Sequence, residues 1–342
     1  MCVLPSNFSL MSHMKHDFVF DKPLEELILR PSTISAKFLE RGIVALRGQK
    51  CDRGDLFELL TRIGDITGFT PSPDRQRLDP VSNGNWSYHQ VHDIQIGYMI
   101  NDGVNEANRE VIQWHVEGVS MENTQSAAMW HMYNFTAEPG TGNTGFVDME
   151  VLARKLPADY RNLLERATIV HMPNWQNKPA SMDDFRAAFE AKVDACSPMI
   201  YTKDGDRNVA SFPRKPLDIS PKTGIETLRA CPCKAPWGLQ DYLHSVDGRK
   251  PSGEEKDLFE RFADWLEHEI VENAENQIWW EWQEGDVLIP DLYRMAHGVK
   301  AGFQPGQRSF HGNWCFPFGT EAEPEHRIPD SEYEAYLESV GL

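Results

Sequence analysis

Gln113–Trp114–His115–Val116–Glu117–Gly118 sets a histidine and a carboxylate two residues apart, between a bulky aromatic and a glycine. In an extended strand, side chains at i and i+2 share a face, so one imidazole nitrogen and one carboxylate oxygen can converge on a single ion. Joined by a distant second histidine, the pair would form a 2-His-1-carboxylate set, which leaves coordination positions open on a non-haem Fe(II). Alone, an H-x-E arises often by chance, and a solvated strand end is its ordinary reading.

Working outward, the partner lies near the C-terminus, in the stretch Gly285–Asp286–Val287–Leu288–Ile289–Pro290–Asp291–Leu292–Tyr293–Arg294–Met295–Ala296–His297–Gly298. An apolar strand ends in Pro-Asp, and a short loop is expected to present His297. Eleven residues after His297 comes Arg308, whose guanidinium can hold a carboxylate through two parallel, charge-assisted hydrogen bonds. Between the two ends sits Pro139–Gly140–Thr141–Gly142–Asn143–Thr144–Gly145–Phe146–Val147–Asp148.

With these pieces in place the chain resembles the taurine dioxygenase-like (TauD/TfdA, clavaminate synthase-like) Fe(II)/2-oxoglutarate oxygenases. That family carries W-H-x-D/E, then G-G-D-T-x-F, then D-x(5)-H, then an arginine eleven residues on. The matches are Trp114/His115/Glu117, Gly142–Phe146 with Asn143 in place of the usual Asp, Asp291/His297, and Arg308. The ordered set is far more specific than any one piece. The resemblance runs from about Gly42 to Phe316 and is weakest between about Asn174 and Asp247. It implies His115, Glu117 and His297 as iron ligands and catalytic residues. It also implies Arg308, helped by Thr144, as the grip on 2-oxoglutarate, and O₂ as the oxidant.

Composition is compatible with this. The chain has 342 residues, 40% of them apolar, which allows a sizeable core. A formal charge of −18, from 34 basic and 52 acidic residues, argues against nucleic acid or an anionic membrane surface as the main partner. No apolar run approaches the length of a membrane span. Residues 1–21 lack the apolar core of a signal peptide, so a cytoplasmic protein is expected. Six cysteines make no disulfide framework. Cys231–Pro232–Cys233 has no second pair to complete a metal site and reads as free thiols in a loop.

Along the chain the pattern predicts many short strands with a few helices. A helix is expected over Thr33–Glu40 with Ser32 as its N-cap and Gly42 as its stop. A buried strand follows at Ile43–Arg47. Asp52–Ile63 places Leu56, Leu59, Leu60 and Ile63 on one helical face, with Gly64–Asp65 ending the helix. Phe69–Asn85 reads as a loop and Asn101–Glu110 as another. Strands are expected at Asp93–Ile100, Val111–Glu117, Ala127–Thr136, Ile278–Gln283, Val287–Pro290 and Phe310–Phe316. Short helices are expected at Asp148–Lys155, Asp159–Arg166 and Met182–Asp194, a hairpin around Asp204–Gly205–Asp206, and a long helix over Glu254–Asn273. Residues 1–20 read as a loose tail and 321–342 as a polar C-terminal tail, with a helix over Ser331–Ser339. The rest is one domain, mainly β with flanking helices. The resemblance narrows that class to a double-stranded β-helix, or jelly roll, with the iron at its open end.

The substrate side is less sharply written. In taurine dioxygenase a second arginine, four residues after the 2-oxoglutarate arginine, helps bind the sulfonate; here that position is Gly312, so taurine is a poor candidate. Halogenating relatives replace the carboxylate ligand with a small residue, and Glu117 makes halogenation an unfavoured outcome. H-x-E resembles clavaminate synthase and hydroxylases of free amino acids, which points to a small molecule, a free amino acid or close derivative, in secondary metabolism. His89 and Arg214 are the candidate substrate contacts, against a packing histidine and a solvated loop charge as the plain alternatives. His92, His131, His171 and His311 read as core histidines, and Trp279, Trp280 and Trp282 as packing. Two other classes stay open: a different metal enzyme on a cupin-like barrel, and a non-catalytic small-molecule-binding protein.

Overall fold

Strand-forming and helix-forming stretches alternate along the chain, and the computed structural model shows where each goes. It describes residues 17–51, 53–71, 89–92, 110–117, 126–173, 195–197, 200–204, 207–231, 239–300, 302–303 and 307–317, with 331, 334–335 and 338. From the N-terminus, β1 (Val19–Phe20) precedes α1 (Leu24–Ile28), α2 (Pro31–Arg41), β2 (Ile43–Leu46) and α3 (Arg53–Thr67). Then come β3 (Phe69–Pro71), β4 (His89–His92), β5 (Glu110–His115), β6 (Ala127–Phe135) and β7 (Thr144–Asp148). Helices α4 (Met149–Lys155) and α5 (Ala158–Arg166) lead into β8 (Ala167–Pro173), β9 (Ile200–Asp204), β10 (Arg207–Ser211), β11 (Leu217–Ile219), β12 (Glu226–Leu228) and β13 (Leu239–Val246). Helix α6 (Gly253–Glu267) is followed by β14 (Gln277–Trp280), β15 (Val287–Pro290), β16 (Met295–Lys300) and β17 (Arg308–Pro317).

Two sheets form the centre. The larger has the order β1-β2-β15-β6-β17-β3, with β4 also paired to β17; the smaller has the order β14-β7-β16-β5. All these pairings are antiparallel except β1 with β2. Alternation along each strand sorts side chains into layers. In β2, Val44 and Leu46 join a core cluster with α1, α2 and α3 on the outer face of the larger sheet. Ile43 and Ala45 point the other way, into the cluster between the sheets with Trp130, Phe146, Leu288 and Met295. Both faces are covered, so the strand reads as an unbroken apolar run and not as alternation. On the outer face of the smaller sheet, Trp114, Val116, Val147 and Ala296 pack against α4, α5, α6 and the β8–β13 pair.

Local physics accounts for the helices. Helix α3 buries Leu56, Leu59, Leu60 and Ile63, each contributing roughly 2 kcal/mol by removal from water. It continues through Gly64–Asp65 and ends at Gly68, whose φ is +85°. Gly64 is interior because a Cβ there would collide with the Phe69 carbonyl. Helix α2 begins at Pro31, so Ser32 lies inside it and no side chain caps it; a proline in the first turn has no N–H in need of a cap. Helix α6 carries a capping box from Ser252 and Glu255 and passes at Glu267 into a π-helical turn, His268–Glu272.

Several expectations are corrected. Phe69–Pro71 is a strand paired with Cys315–Pro317. Residues 17–20 are not a loose tail: Phe18 is buried, Val19–Phe20 pairs with β2, and Asp17 binds Arg41 and Lys37. Glu110 belongs to β5, His297 sits within β16 and not on a loop, and Glu117 lies just past the end of β5. Cys231 is a buried core thiol. The expected strand Asp93–Ile100 and helix Met182–Asp194 lie outside the described residues. Of Ser331–Ser339, the described residues Ser331, Glu334, Ala335 and Glu338 are helical and exposed.

Candidate metal centre

Strands β5 and β16 run antiparallel in a register that sets His297 directly opposite His115. Trp114 and Ala296 take the outer, helix-covered face, which turns both imidazoles to the interior between the sheets. Their ring centroids are 4.1 Å apart. Glu117 Oε2 lies 3.4 Å from His115 Nε2 and 3.6 Å from His297 Nε2. The three donor atoms fall within 4.8 Å of one another, a spacing that can hold one metal ion. Burial, and then the neighbouring His115, push the His297 pKa down to about 3. Its imidazole is therefore neutral at physiological pH, the form that ligates a metal. The Trp130 ring, 5.2 Å from His297, and Phe146 wall the site.

Glu117 needs support because it is outside the strand. Arg229 provides it, donating from Nη2 to the Glu117 carbonyl at 3.1 Å and from Nη1 to the carbonyls of Tyr293 and Leu292 at 2.7 and 3.3 Å. Its guanidinium lies over the Tyr293 ring at 4.1 Å, and the Tyr293 hydroxyl donates to Asp218. One buried cation thus ties the segment after His115 to the turn before His297. Between the ligands of that first segment, Val116 N–H donates to Cys231 Sγ at 3.3 Å; burial holds the Cys231 pKa up at about 12, so the thiol stays neutral. The turn is organised by Asp291, whose Oδ1 accepts from the N–H of Tyr293 and Arg294 and from Lys222 Nζ.

Arg308, at the start of β17, is buried and crosses between the sheets. Its Nε donates to the Gly142 carbonyl at 3.0 Å and its Nη2 to Thr144 Oγ1 at 3.2 Å. Phe310, Phe303 and Trp282 surround the guanidinium at 5.0, 5.8 and 5.9 Å. Trp282 Nε1 also donates to Thr144 Oγ1, at 2.9 Å. With both lone pairs of that oxygen accepting, the Thr144 O–H is left to donate, as a carboxylate acceptor requires. Thr144 pairs with Val299 in the strand that carries His297 and shares its face with Phe146, so it faces the interior containing the imidazoles. Gly145 is required here, because a Cβ would strike the Trp114 ring and come within 2.8 Å of Trp279.

The residues expected from sequence are His115, Glu117 and His297 for the metal and Arg308 with Thr144 for the co-substrate; the structure brings the first three together and joins Arg308 to Thr144. Sequence reasoning missed Arg229, which lies where the resemblance is weakest and carries no spacing signal, and it read Cys231 as a loop thiol although its Sγ accepts the Val116 N–H. It also read Trp282 as packing, although its indole N–H serves Thr144. Arg294 is committed to Asp148 through Nε and Nη2, at 3.0 and 2.5 Å, and to the carbonyls of Leu39 and Glu40. His89 lies in β4 with its backbone paired to Gly312; its side chain is outside the described residues. His171 is buried, with Nδ1 2.9 Å from Asp241 Oδ1. Arg214 is not a solvated loop charge: its three guanidinium nitrogens are buried.

The fold is similar to that of solved oxygenases. A crystal structure of AAD-2 in complex with Mn(II) and N-oxalylglycine covers 90% of this chain and 95% of its own, with a TM-score of 0.53 at 13% identity. A taurine dioxygenase from Burkholderia xenovorans covers 86% and 87%, with a TM-score of 0.51 at 12% identity. No curated protein sequence matches. Among the described residues no helix is long and apolar enough to cross a membrane. Residues 13–314 match the family described as taurine catabolism dioxygenase TauD, TfdA family, and with that match over most of its length the chain belongs to this family of Fe(II)- and 2-oxoglutarate-dependent dioxygenases.

Proposed function

We propose that this dioxygenase oxidises a free amino acid or a close derivative, using His115, Glu117 and His297 for Fe(II), Arg308 and Thr144 for 2-oxoglutarate, and His89 and Arg214 for the substrate. The convergence of His115 Nε2, His297 Nε2 and Glu117 Oε2 on one point carries the metal assignment. The donor set suits Fe(II), with two imidazoles and one carboxylate leaving positions open for small molecules. Fe(II) with 2-oxoglutarate and O₂ supplies oxidative decarboxylation to succinate and CO₂, and with it the oxidising power spent on a substrate C–H bond.

The chain's own groups do the holding. Arg308, held in place by Gly142 and Thr144, offers its planar fork to the distal carboxylate, and the Thr144 hydroxyl donates alongside it. Trp130, Phe146 and Phe310 keep bulk water from this interior. Glu117 takes the position a halide would need, which favours oxygenation or desaturation over halogenation. The amino-acid reading is supported by glutamate at the ligand position and by Gly312, which removes an anion-binding arginine suited to sulfonates.

The test is succinate release with a panel of L-amino acids against taurine, in the presence of chloride, for the parent and His297→Ala. Coupled turnover with amino acids, lost together with iron stoichiometry in His297→Ala, is the expected result. Strong coupling with taurine, a chlorinated product, or a variant that binds iron and turns over like the parent would overturn it.

A further inference from the structure

Arg214 stands just beyond β10, its backbone bridged to Ile169 by two hydrogen bonds of 2.8 Å. Nε, Nη1 and Nη2 are each buried, and none has a hydrogen-bond acceptor among the described residues. Asp241 Oδ1 lies 3.9 Å from Nη2, too far for a hydrogen bond. That carboxylate is already committed: Oδ1 faces His171 Nδ1 at 2.9 Å, and Oδ2 accepts the Cys231 N–H at 2.6 Å. A buried guanidinium whose donors have no acceptor costs several kcal/mol unless an anion meets them, and the long contact to Asp241 supplies charge but no hydrogen bond.

The local charge balance points the same way. Among the described residues, the leading charged and polar groups acting on Arg214 are Asp241, Arg229, Cys231 and Tyr293. Burial raises the pKa of the Cys231 thiol and of the Tyr293 phenol, so both are neutral, and burial likewise keeps His171 neutral. Arg229 has the Asp291 and Asp218 carboxylates acting on it, whereas Asp241 is the leading carboxylate acting on Arg214. Arg229 also donates from both Nη atoms to backbone carbonyls and lies over the Tyr293 ring, so of the two guanidiniums Arg214 is the one whose donors are left open. The location is also informative. Asp241 meets Cys231, Cys231 Sγ meets the Val116 N–H, and Val116 lies between His115 and Glu117.

We infer that Arg214 is the seat for a carboxylate of the substrate, beside the Glu117 end of the metal centre, so that substrates of this enzyme are small carboxylic acids held by their anionic group. This rests on the oxygenase reading above and narrows it. The planar fork of Arg214 accepts a carboxylate bidentately, while Asp241, held by His171 and Cys231, keeps the guanidinium oriented. Arg308 serves the co-substrate and Arg214 the substrate, one carboxylate each.

The experiment compares L-amino acids with their primary carboxamides in the parent, Arg214→Lys and Arg214→Met, all as full-length protein. Coupled succinate release gives KM for each acid and amide. Thermal midpoints of the purified protein with and without the same acids report binding independently of turnover. The expected result is a KM roughly 100-fold higher for the amide than for the acid in the parent, about the value of two charge-assisted hydrogen bonds. That gap should close in Arg214→Met and only partly survive in Arg214→Lys. The acids should raise the thermal midpoint of the parent and leave that of Arg214→Met unmoved. Arg214→Met should itself melt no lower than the parent, since a desolvated charge without hydrogen-bonded partners is replaced by an apolar chain, and its KM for 2-oxoglutarate should stay within about twofold. An acid-to-amide ratio unchanged by Arg214→Met, a large loss of thermal midpoint with unchanged KM, or a raised KM for 2-oxoglutarate alone would overturn the inference. Absence of succinate from the parent with acid-dependent stabilisation still lost in Arg214→Met would sink the oxygenase reading and leave the carboxylate seat standing.

Discussion

Replacing Arg229 by methionine tests whether the metal centre depends on a residue that touches none of its donor atoms. Arg229 donates to the carbonyls of Glu117, Leu292 and Tyr293, and methionine fills a similar volume without a donor. Each buried carbonyl left without a partner costs about 1–3 kcal/mol. Removing a desolvated cation offsets part of that, for a net loss of about 3 kcal/mol in folding stability. The larger consequence is for the metal. Freed of the clamp, the segment carrying Glu117 and the turn before His297 move independently, and loss of such supporting contacts typically lowers metal affinity about 10–100-fold. The assay is anaerobic titration of the metal-free protein with Fe(II) or Mn(II), alongside its thermal midpoint. Leu60→Ala in α3 is the control, since Leu60 is buried against the opposite face of the larger sheet and its loss costs about 2–5 kcal/mol without touching the site. Arg229→Lys, which keeps the charge but cannot span both segments, should fall between. The reasoning is refuted if Arg229→Met keeps the parent metal Kd, or if Leu60→Ala weakens metal binding as much.

Two further outcomes follow from particular contacts. Arg308→Lys loses the fork braced by Gly142 and Thr144, so the KM for 2-oxoglutarate should rise roughly 10–100-fold; an unchanged value would move the clamp to another basic residue. At the start of α6, the Arg249 hydrogen bond, with help from Ser252, pulls the Glu255 pKa below its ordinary value of 4.5 to about 2. A depressed carboxylate pKa stabilises the fold above about pH 4.5 and stops doing so as pH falls through about 2. The gap in thermal midpoint between the parent and Glu255→Gln should therefore be full near neutrality and close across that window, and a gap independent of pH would contradict the capping assignment.

Much of this was legible in the chain itself, wherever a physical rule acts over a few residues. The run Ile43–Leu46 declares a strand buried on both faces, the spacing of Leu56, Leu59, Leu60 and Ile63 declares the buried face of α3, and H-x-E puts two ligand side chains two residues apart. What the sequence could not declare is which distant segments meet. Facing His297 with His115 is a matter of strand register between β5 and β16, and a one-residue slip would turn either ring to the helix-covered side. Arg229 reaches Glu117 across 112 positions and Trp282 reaches Thr144 across 138, so no local periodicity records either contact. Arg214 could be named in sequence as a candidate substrate contact, but nothing there separates it from a solvated loop charge. Only packing of the β8–β13 region around it removes its guanidinium from water and leaves it in need of an anion, because burial is a property of everything that surrounds a side chain and not of its neighbours along the chain.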